Sequence, residues 1–152
     1  MNKELQAQIA ALLPPIRTHL LGGVLAFTQA ACRLPGVARI ALIGSLTTGK
    51  PEPKDADMLV TVIDDVDLTL LAAQGRKLLG HCQSRGRGAD VFLANPGGDY
   101  LGRLCPWKRC GPGIRASCDA LHCGRRLYLH DDLDAIRLPP SLIAEPPIEL
   151  WS

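Results

Sequence analysis

The stretch from Arg39 to Val62 constrains the fold of this 152-residue chain more than any other. An apolar run ends in Gly44-Ser45, a polar loop follows, and a second apolar run opens with two aspartates, Asp55 and Asp57. Alternate residues of a β-strand point to the same face, so these two carboxylates should lie side by side. Neighbouring carboxylates repel each other unless a cation lies between them, and hard oxygen ligands of this kind suit Mg²⁺. The stretch therefore predicts two strands joined by a loop, with a magnesium site at the start of the second.

A third aspartate, Asp90, lies in a later apolar run that ends at Leu93. The ordered set of features resembles the nucleotidyltransferase superfamily, which includes DNA polymerase β and the small bacterial minimal nucleotidyltransferases. The family pattern is an apolar strand, Gly-Ser, a short spacer, Asp-x-Asp and a later third carboxylate. In this chain nine residues separate Gly44-Ser45 from Asp55-Ala56-Asp57. The resemblance covers residues 35 to 95 and implies a nucleotidyltransferase fold.

The resemblance also implies a reaction, the transfer of a nucleoside monophosphate from a triphosphate to a hydroxyl group with two Mg²⁺ ions. Asp55 and Asp57 would hold the metals, and Asp90 would bind the second metal and help to deprotonate the acceptor. Gly44 would let the backbone turn tightly beneath a phosphate, and Ser45 would offer a hydroxyl and an N–H to the terminal phosphates. The acceptor stays open among a protein side chain, an RNA such as a tRNA end and a small hydroxylated compound. An antitoxin-like partner stays open too, because some minimal members are toxins.

Positive side chains close to the Gly-Ser turn in sequence are candidates to neutralise the pyrophosphate leaving group. Many family members have Ser immediately before the first aspartate, where this chain has a lysine. The difference bears on which metal or substrate geometry the site prefers, but it leaves the carboxylates intact. The stronger candidates are Lys50 and Lys54, and the weaker ones are Arg39, Arg85 and Arg87.

The seven residues from Gly44 to Lys50 also match the start of a P-loop. A P-loop continues with Ser or Thr, whose hydroxyl binds Mg²⁺, and a helix begins there. Here Pro51-Glu52-Pro53 follows, which offers no hydroxyl and interrupts a first helical turn. The P-loop is therefore disfavoured, and an ordinary β-hairpin with a Gly-Ser turn is the other alternative to a nucleotidyltransferase site.

Four cysteines fall within nineteen residues near the C-terminal end: Cys105, Cys110, Cys118 and Cys123. Four soft ligands on loops that contain Gly and Pro suit a tetrahedral structural Zn²⁺. In a cytosolic protein such a cluster is more often a metal site than a set of disulfides. Buried reduced cysteines and a redox-labile pair are the alternatives, since the spacing of four residues within each pair is less diagnostic than the familiar spacing of two.

Basic residues are concentrated in the middle of the chain. Between Arg76 and Arg126 there are ten Lys or Arg and three Asp, although the net charge of the whole chain is only +2. Such asymmetry favours a ligand that carries phosphate, or a nucleic acid, and a solvated basic face is the alternative. Within this segment the candidates to stack on a base or to contact a nucleic-acid backbone are Trp107, Lys108, Arg109 and Arg115, and the alternative for the tryptophan is packing within the loop.

The length indicates one domain with an α/β (α+β) fold, a small mixed sheet and helices on one face. Residues 1–34 would form N-terminal helices, 35–104 the catalytic core, 105–130 a Cys-rich segment, and 131–152 a Pro-rich extended tail that wraps the surface or a partner. Helices are predicted over 3–13, 15–32 and 68–84, the last capped by Asp67, and strands over 37–43, 57–63, 89–93 and 126–129.

No signal-peptide pattern is present, and the apolar patch between Leu20 and Ala31 is too short to span a bilayer. These features predict a cytoplasmic protein with reduced thiols and no membrane partner. Two functions remain, a magnesium-dependent nucleotidyltransferase and a non-catalytic, zinc-stapled module that binds nucleotide or nucleic acid. Three carboxylates favour the enzyme, because a binding module does not need them.

Overall fold

The structure is a computed structural model that describes residues 2–110, 114, 126–130 and 138–152. In these residues three helices accompany a six-stranded mixed sheet with the strand order β5-β4-β3-β2-β1-β6. The helices are α1 (Lys3–Leu12), α2 (Ile16–Ala31) and α3 (Thr69–Gln83); the strands are β1 (Val37–Ile43), β2 (Asp55–Val62), β3 (Gly88–Ala94), β4 (Tyr100–Leu104), β5 (Leu129–His130) and β6 (Ile148–Trp151). The predicted mixed α+β architecture is confirmed.

The centre of the sheet is the parallel pair of β2 and β3, which α3 connects, and the other strand pairs of the sheet are antiparallel. Parallel neighbours require a crossover of this kind, whereas β1 and β2 need only the loop between them. The register places Asp57 opposite Asp90 across the parallel pair and opposite Ile43 on the other side. These pairings fix which side chains share a face.

The helices α2 and α3 pack on one face of the sheet. Leu42 pairs with Met58, and Met58 pairs with Val91, and all three side chains join the core beneath the two helices. The alternate residues of β2, including Asp57, therefore point to the opposite face. In contrast, α1 has no buried residue.

Two histidines join α2 to α3. The rings of His19 and His81 stack with their centroids 3.9 Å apart, and the Nε2 of each lies within 2.8 Å of the other's backbone carbonyl. A carbonyl only accepts, so both Nε2 atoms carry a proton. The His81 ring packs closely on Gly23, because a Cβ atom there would lie 2.6 Å from Cδ2 of His81. This contact fixes the spacing of the helices that support the sheet.

Several predicted boundaries differ from the structure. Strand β2 begins at Asp55 rather than residue 57, since Asp55 pairs with Gly88 of β3. The helix predicted from residue 68 begins at Thr69. The predicted cap is wrong, because the N-cap residue is Leu68; Asp67 lies one residue earlier, and its Oδ1 accepts from both N and Oγ1 of Thr69. The short strand expected over 126–129 is β5, at residues 129–130.

Two strands were not predicted. Strand β4 pairs with β3 in the segment that the sequence assigned to no element, and β6 forms from the end of the Pro-rich tail. The tail is extended as expected, but its last residues join the sheet next to β1. There Nε of Arg39 lies 2.8 Å from a carboxylate oxygen of Glu149.

Among the described residues, no single helix has the length and apolarity to cross a membrane. Only α1 and α2 taken together pass that test, and the pair is bent by 43°.

Candidate functional site

The three predicted carboxylates lie on one face of the sheet, at the start of the parallel pair. Ala56 is fully buried in the core, so its neighbours Asp55 and Asp57 project from the face opposite the helices. Asp90 pairs with Asp57 in the parallel register, and paired residues share a face. Asp55, Asp57 and Asp90 therefore project from the same face of the sheet.

Asp57 is the buried member of the group. Its side chain is only 5 % exposed, whereas Asp55 and Asp90 are exposed. The pKa of Asp57 is raised from 3.8 to about 7, mainly by burial and also by the charges of Asp55 and Asp90. A carboxylate that is desolvated beside two others is a place where a cation would restore the charged form.

Two glycines make room for the carboxylates. Gly44 has φ +74°, a left-handed conformation, and a Cβ atom there would lie 2.6 Å from Oδ2 of Asp57. A Cβ atom on Gly88 would lie 2.5 Å from Oδ1 of Asp55. At Gly44 a larger residue would therefore be strained by its backbone and would also collide with the carboxylate. The glycine that the sequence assigned to a phosphate turn also lies directly against the buried aspartate.

A 3₁₀ turn over Gly44–Thr47 follows β1 and begins beside Asp57. Its hydroxyls bond within the turn: Thr47 Oγ1 donates to the Gly44 carbonyl and Thr48 Oγ1 donates to the Ser45 carbonyl, both at 2.7 Å. Ser45 Oγ lies 3.5 Å from the carbonyl of Asp55, a long contact. The Ser45 side chain therefore lies between the turn and the first residue of β2, next to the acidic group.

Arg17 is a residue of this site that sequence reasoning missed. It extends from the first turns of α2, and its guanidinium donates to the Leu46 carbonyl at 2.9 Å and to the Lys50 carbonyl at 3.4 Å. Arg17 is the only Lys or Arg in α2, a mostly apolar helix, and its position there is the one signal that the sequence offered. The contact fixes the loop between β1 and β2.

The five Lys and Arg residues predicted to neutralise the pyrophosphate differ in their surroundings. Lys50 and Lys54 are exposed on the loop beside the carboxylates. Arg39 forms its ion pair with Glu149 and pairs in register with Thr61, towards the far end of β2. Arg85 donates to the Pro14 carbonyl at 2.9 Å, which ties it to the connection between α1 and α2. Arg87 has a buried Nε without a hydrogen-bond partner.

No group of three or more His, Cys, Asp or Glu side chains in the described part of the chain is arranged to hold a metal ion. Of the four predicted zinc ligands, Cys105 is buried and Cys110 is half-buried, whereas Cys118 and Cys123 lie outside the described residues. Cys110 Sγ accepts the backbone N–H of Tyr128 at 3.1 Å. The four-cysteine site therefore stays a prediction.

An apolar cavity of about 170 Å³ lies at the other end of the sheet, away from the carboxylates. Leu34, Val62 and Leu71 are among its lining residues, and Val62 is the last residue of β2. Its lining includes none of the three site aspartates.

Compared with known proteins, the chain matches no protein-family model, no curated protein and no solved structure at a significant level.

Proposed function

We propose that the chain is a magnesium-dependent nucleotidyltransferase, which moves a nucleoside monophosphate from a nucleoside triphosphate to a hydroxyl group of an acceptor. The observation that supports this best is the register of β2 and β3, which puts Asp57 opposite Asp90 with Asp55 on the same face. The left-handed Gly44 beside Asp57 adds a tight backbone turn where a triphosphate would lie.

The donor set fits Mg²⁺. This ion takes oxygen ligands and is usually bound by one or two carboxylates together with substrate phosphates, so it does not require a complete protein cage. Asp55 and Asp57 would hold it with the triphosphate, and Asp90 would hold a second ion. Bound there, the metal ions would stabilise the charge that develops on the phosphate oxygens.

Side chains of the protein would bind the phosphates and accept the proton of the acceptor hydroxyl. Asp90, which is exposed, would accept the proton of the acceptor hydroxyl. Ser45 would donate from its hydroxyl and its N–H to the terminal phosphates, and Lys50 and Lys54 would neutralise the pyrophosphate that leaves. Arg17 would keep the loop that carries these groups in place through its two carbonyl contacts.

Under this proposal the reaction takes place in the cytoplasm. A structural Zn²⁺ bound by the four cysteines would hold together the segment that follows β4. The acceptor class under this proposal is a macromolecule or small compound with a free hydroxyl. An antitoxin-like partner belongs to the same proposal.

Calorimetry with each nucleoside triphosphate, in Mg²⁺ or in EDTA, tests the proposal. We expect binding that requires Mg²⁺ and is lost in Asp57→Ala, while the exposed Asp64→Ala, in the connection between β2 and α3, binds normally. The same preparation, incubated with α-labelled triphosphates and cell lysate, should transfer label to one class of acceptor. Triphosphate binding that is equally strong with and without Mg²⁺, and equally strong in Asp57→Ala, would indicate a non-catalytic binding module instead.

A further inference from the structure

A cavity of about 210 Å³ lies between α2 and α3 and is lined by residues of these two helices. Gly22, Gly23 and Ala26 of α2 contribute almost no side chain to it. Gly23 lets the His81 ring of α3 approach closely, whereas nothing lies within 4 Å of a Cβ atom placed on Gly22. Gly22 and Ala26 are four residues apart and so lie on the same side of α2. The two helices therefore meet at one glycine and leave an open space beside the other.

The lining of this cavity is mostly apolar and partly aromatic. Phe27 of α2 and Leu78 of α3 line it and are otherwise buried, at 3 % and 2 % exposure. His81 adds a second ring, which is held in place because it stacks on His19 and its Nε2 donates to the His19 carbonyl at 2.7 Å. An apolar cavity of about 150 Å³ is large enough to bind benzene. The space between α2 and α3 therefore accommodates one aromatic ring with a short substituent.

The polar groups of the cavity favour an anion. Lys77 is the one Lys or Arg among the described residues that line it, and none of them is an Asp or Glu. Helices α2 and α3 contain no Asp or Glu at all, so neither helix supplies a carboxylate to neutralise the Lys77 ammonium. In the described part of the chain, neither Lys77 nor the half-buried Gln74 beside it forms a hydrogen bond or an ion pair.

We infer that this cavity binds a small aromatic carboxylate, whose ring packs on Phe27 and whose carboxylate accepts hydrogen bonds from Lys77 and Gln74. A straight acyl chain of the same volume would make less use of the two rings in the lining. A nucleoside triphosphate does not fit, because sites for drug-sized ligands already have about 300–1,000 Å³. The ligand is therefore separate from the substrates of the proposed transfer, whose carboxylates project from the other face of the sheet.

An NMR titration of the ¹⁵N-labelled protein with phenylacetate tests the inference. We expect a dissociation constant on the order of 0.1–1 mM, which is typical of a ligand with so few atoms. The amide signals that shift most should be those of Gly22, Gly23 and Lys77. Phenylacetamide has nearly the same shape without the charge, and it should bind about two- to fivefold more weakly. Lys77→Met should remove that difference between the two compounds, whereas equal binding of both by the unchanged protein would refute the role of charge.

Two glycine variants test the place of binding. Gly22→Leu fills the cavity without displacing a neighbour, because there is open space at its Cβ position. It should weaken phenylacetate binding by about 10- to 150-fold, which corresponds to the loss of burial of one ring. Gly80→Leu is the matched control, since Gly80 is also exposed on a helix with open space around it but does not line the cavity. Equal affinity in Gly22→Leu and Gly80→Leu would overturn the inference.

The inference stands or falls independently of the proposed transfer. Asp57→Asn should lose magnesium-dependent triphosphate binding and bind phenylacetate like the unchanged protein, whereas Gly22→Leu should do the reverse. No shift of any amide signal up to about 10 mM phenylacetate would refute the cavity site and leave the transfer proposal to its own test. Displacement of phenylacetate by a triphosphate with Mg²⁺ would show that the two ligands share one site, and the inference would then be wrong.

Discussion

The metal-free protein should become more stable when Asp57 is changed to Asn. Asp57 is 5 % exposed, and its pKa is raised to about 7 by burial first and then by the charges of Asp55 and Asp90. A raised carboxyl pKa means that ionisation disfavours the folded state. The destabilisation is absent below the unfolded pKa of 3.8, grows as the pH rises, and is complete above about 7.

The size of the effect follows from the two pKa values. Each pKa unit corresponds to about 1.4 kcal/mol, so ionised Asp57 costs about 4 kcal/mol above pH 8, when its pKa moves from 3.8 to about 7. A buried amide without full hydrogen bonding costs about 1–3 kcal/mol, which leaves a net gain on the order of 1–3 kcal/mol for the Asn variant. For a chain of this size that gain raises the melting temperature by roughly 3 to 10 °C.

Urea denaturation in EDTA at pH 8.5 and at pH 5 measures this free energy of unfolding. At pH 5 the same pKa values give a cost of only about 2 kcal/mol, so the advantage of Asp57→Asn over the unchanged protein should shrink by about 2 kcal/mol between the two pH values. That difference does not depend on the amide term. Asp64→Asn, which changes an exposed aspartate, is the matched control and should show no such pH dependence.

A stability difference between Asp57→Asn and the unchanged protein that is the same at both pH values would refute the reasoning. So would a variant that is less stable at pH 8.5. In the presence of Mg²⁺ and a bound triphosphate, only the unchanged protein should gain stability, by about 2.7 kcal/mol when the ligand is at 100 times its dissociation constant.

Two further predictions concern the elements that support the site. Gly22→Ala should raise the free energy of unfolding by about 0.5–1 kcal/mol, because nothing lies within 4 Å of the added methyl. Gly23→Ala should lower it by about 1–3 kcal/mol, because the added methyl collides with His81. Urea denaturation measures both variants, and equal effects would contradict the packing described for α2 and α3. Arg17→Ala should weaken magnesium-dependent triphosphate binding and cost about 1–3 kcal/mol of stability, since two loop carbonyls lose their charged donor. Calorimetry measures the binding, and Arg33→Ala, just after the end of α2, is the control. Unchanged binding in Arg17→Ala would mean that the loop does not need this contact.

The central part of the fold was predictable because its signals are local. The alternation of Asp55, Ala56 and Asp57 within an apolar run predicts that Ala56 faces the core and that the two aspartates face the other way, and the structure has this arrangement. The shared face of Asp57 and Asp90 came from the family resemblance rather than from spacing. It depends on the parallel register of two strands, and that register is set by packing across α3.

The missed strands have signals that depend on distant partners. Strand β4 contains Gly102 at φ +134° and Arg103 in a run of only five residues, which weakens any alternation. Strand β6 is four residues long and follows a pair of prolines, and its partner β1 lies near the other end of the chain. Arg17 was missed for the same reason, because nothing within α2 shows that its side chain reaches the carbonyls of Leu46 and Lys50.

The pairing of β6 with β1 bears on how the protein folds as it is synthesised. The residues of the five other strands of the sheet, β5 included, are joined to the chain before Ile148 is added. Until then Ile40 to Leu42 lack the neighbour that the finished sheet gives them, and an uncovered edge of this kind readily pairs with another chain. The nascent protein therefore has an open sheet edge until β6 is made, and the four residues of β6 then cover part of it.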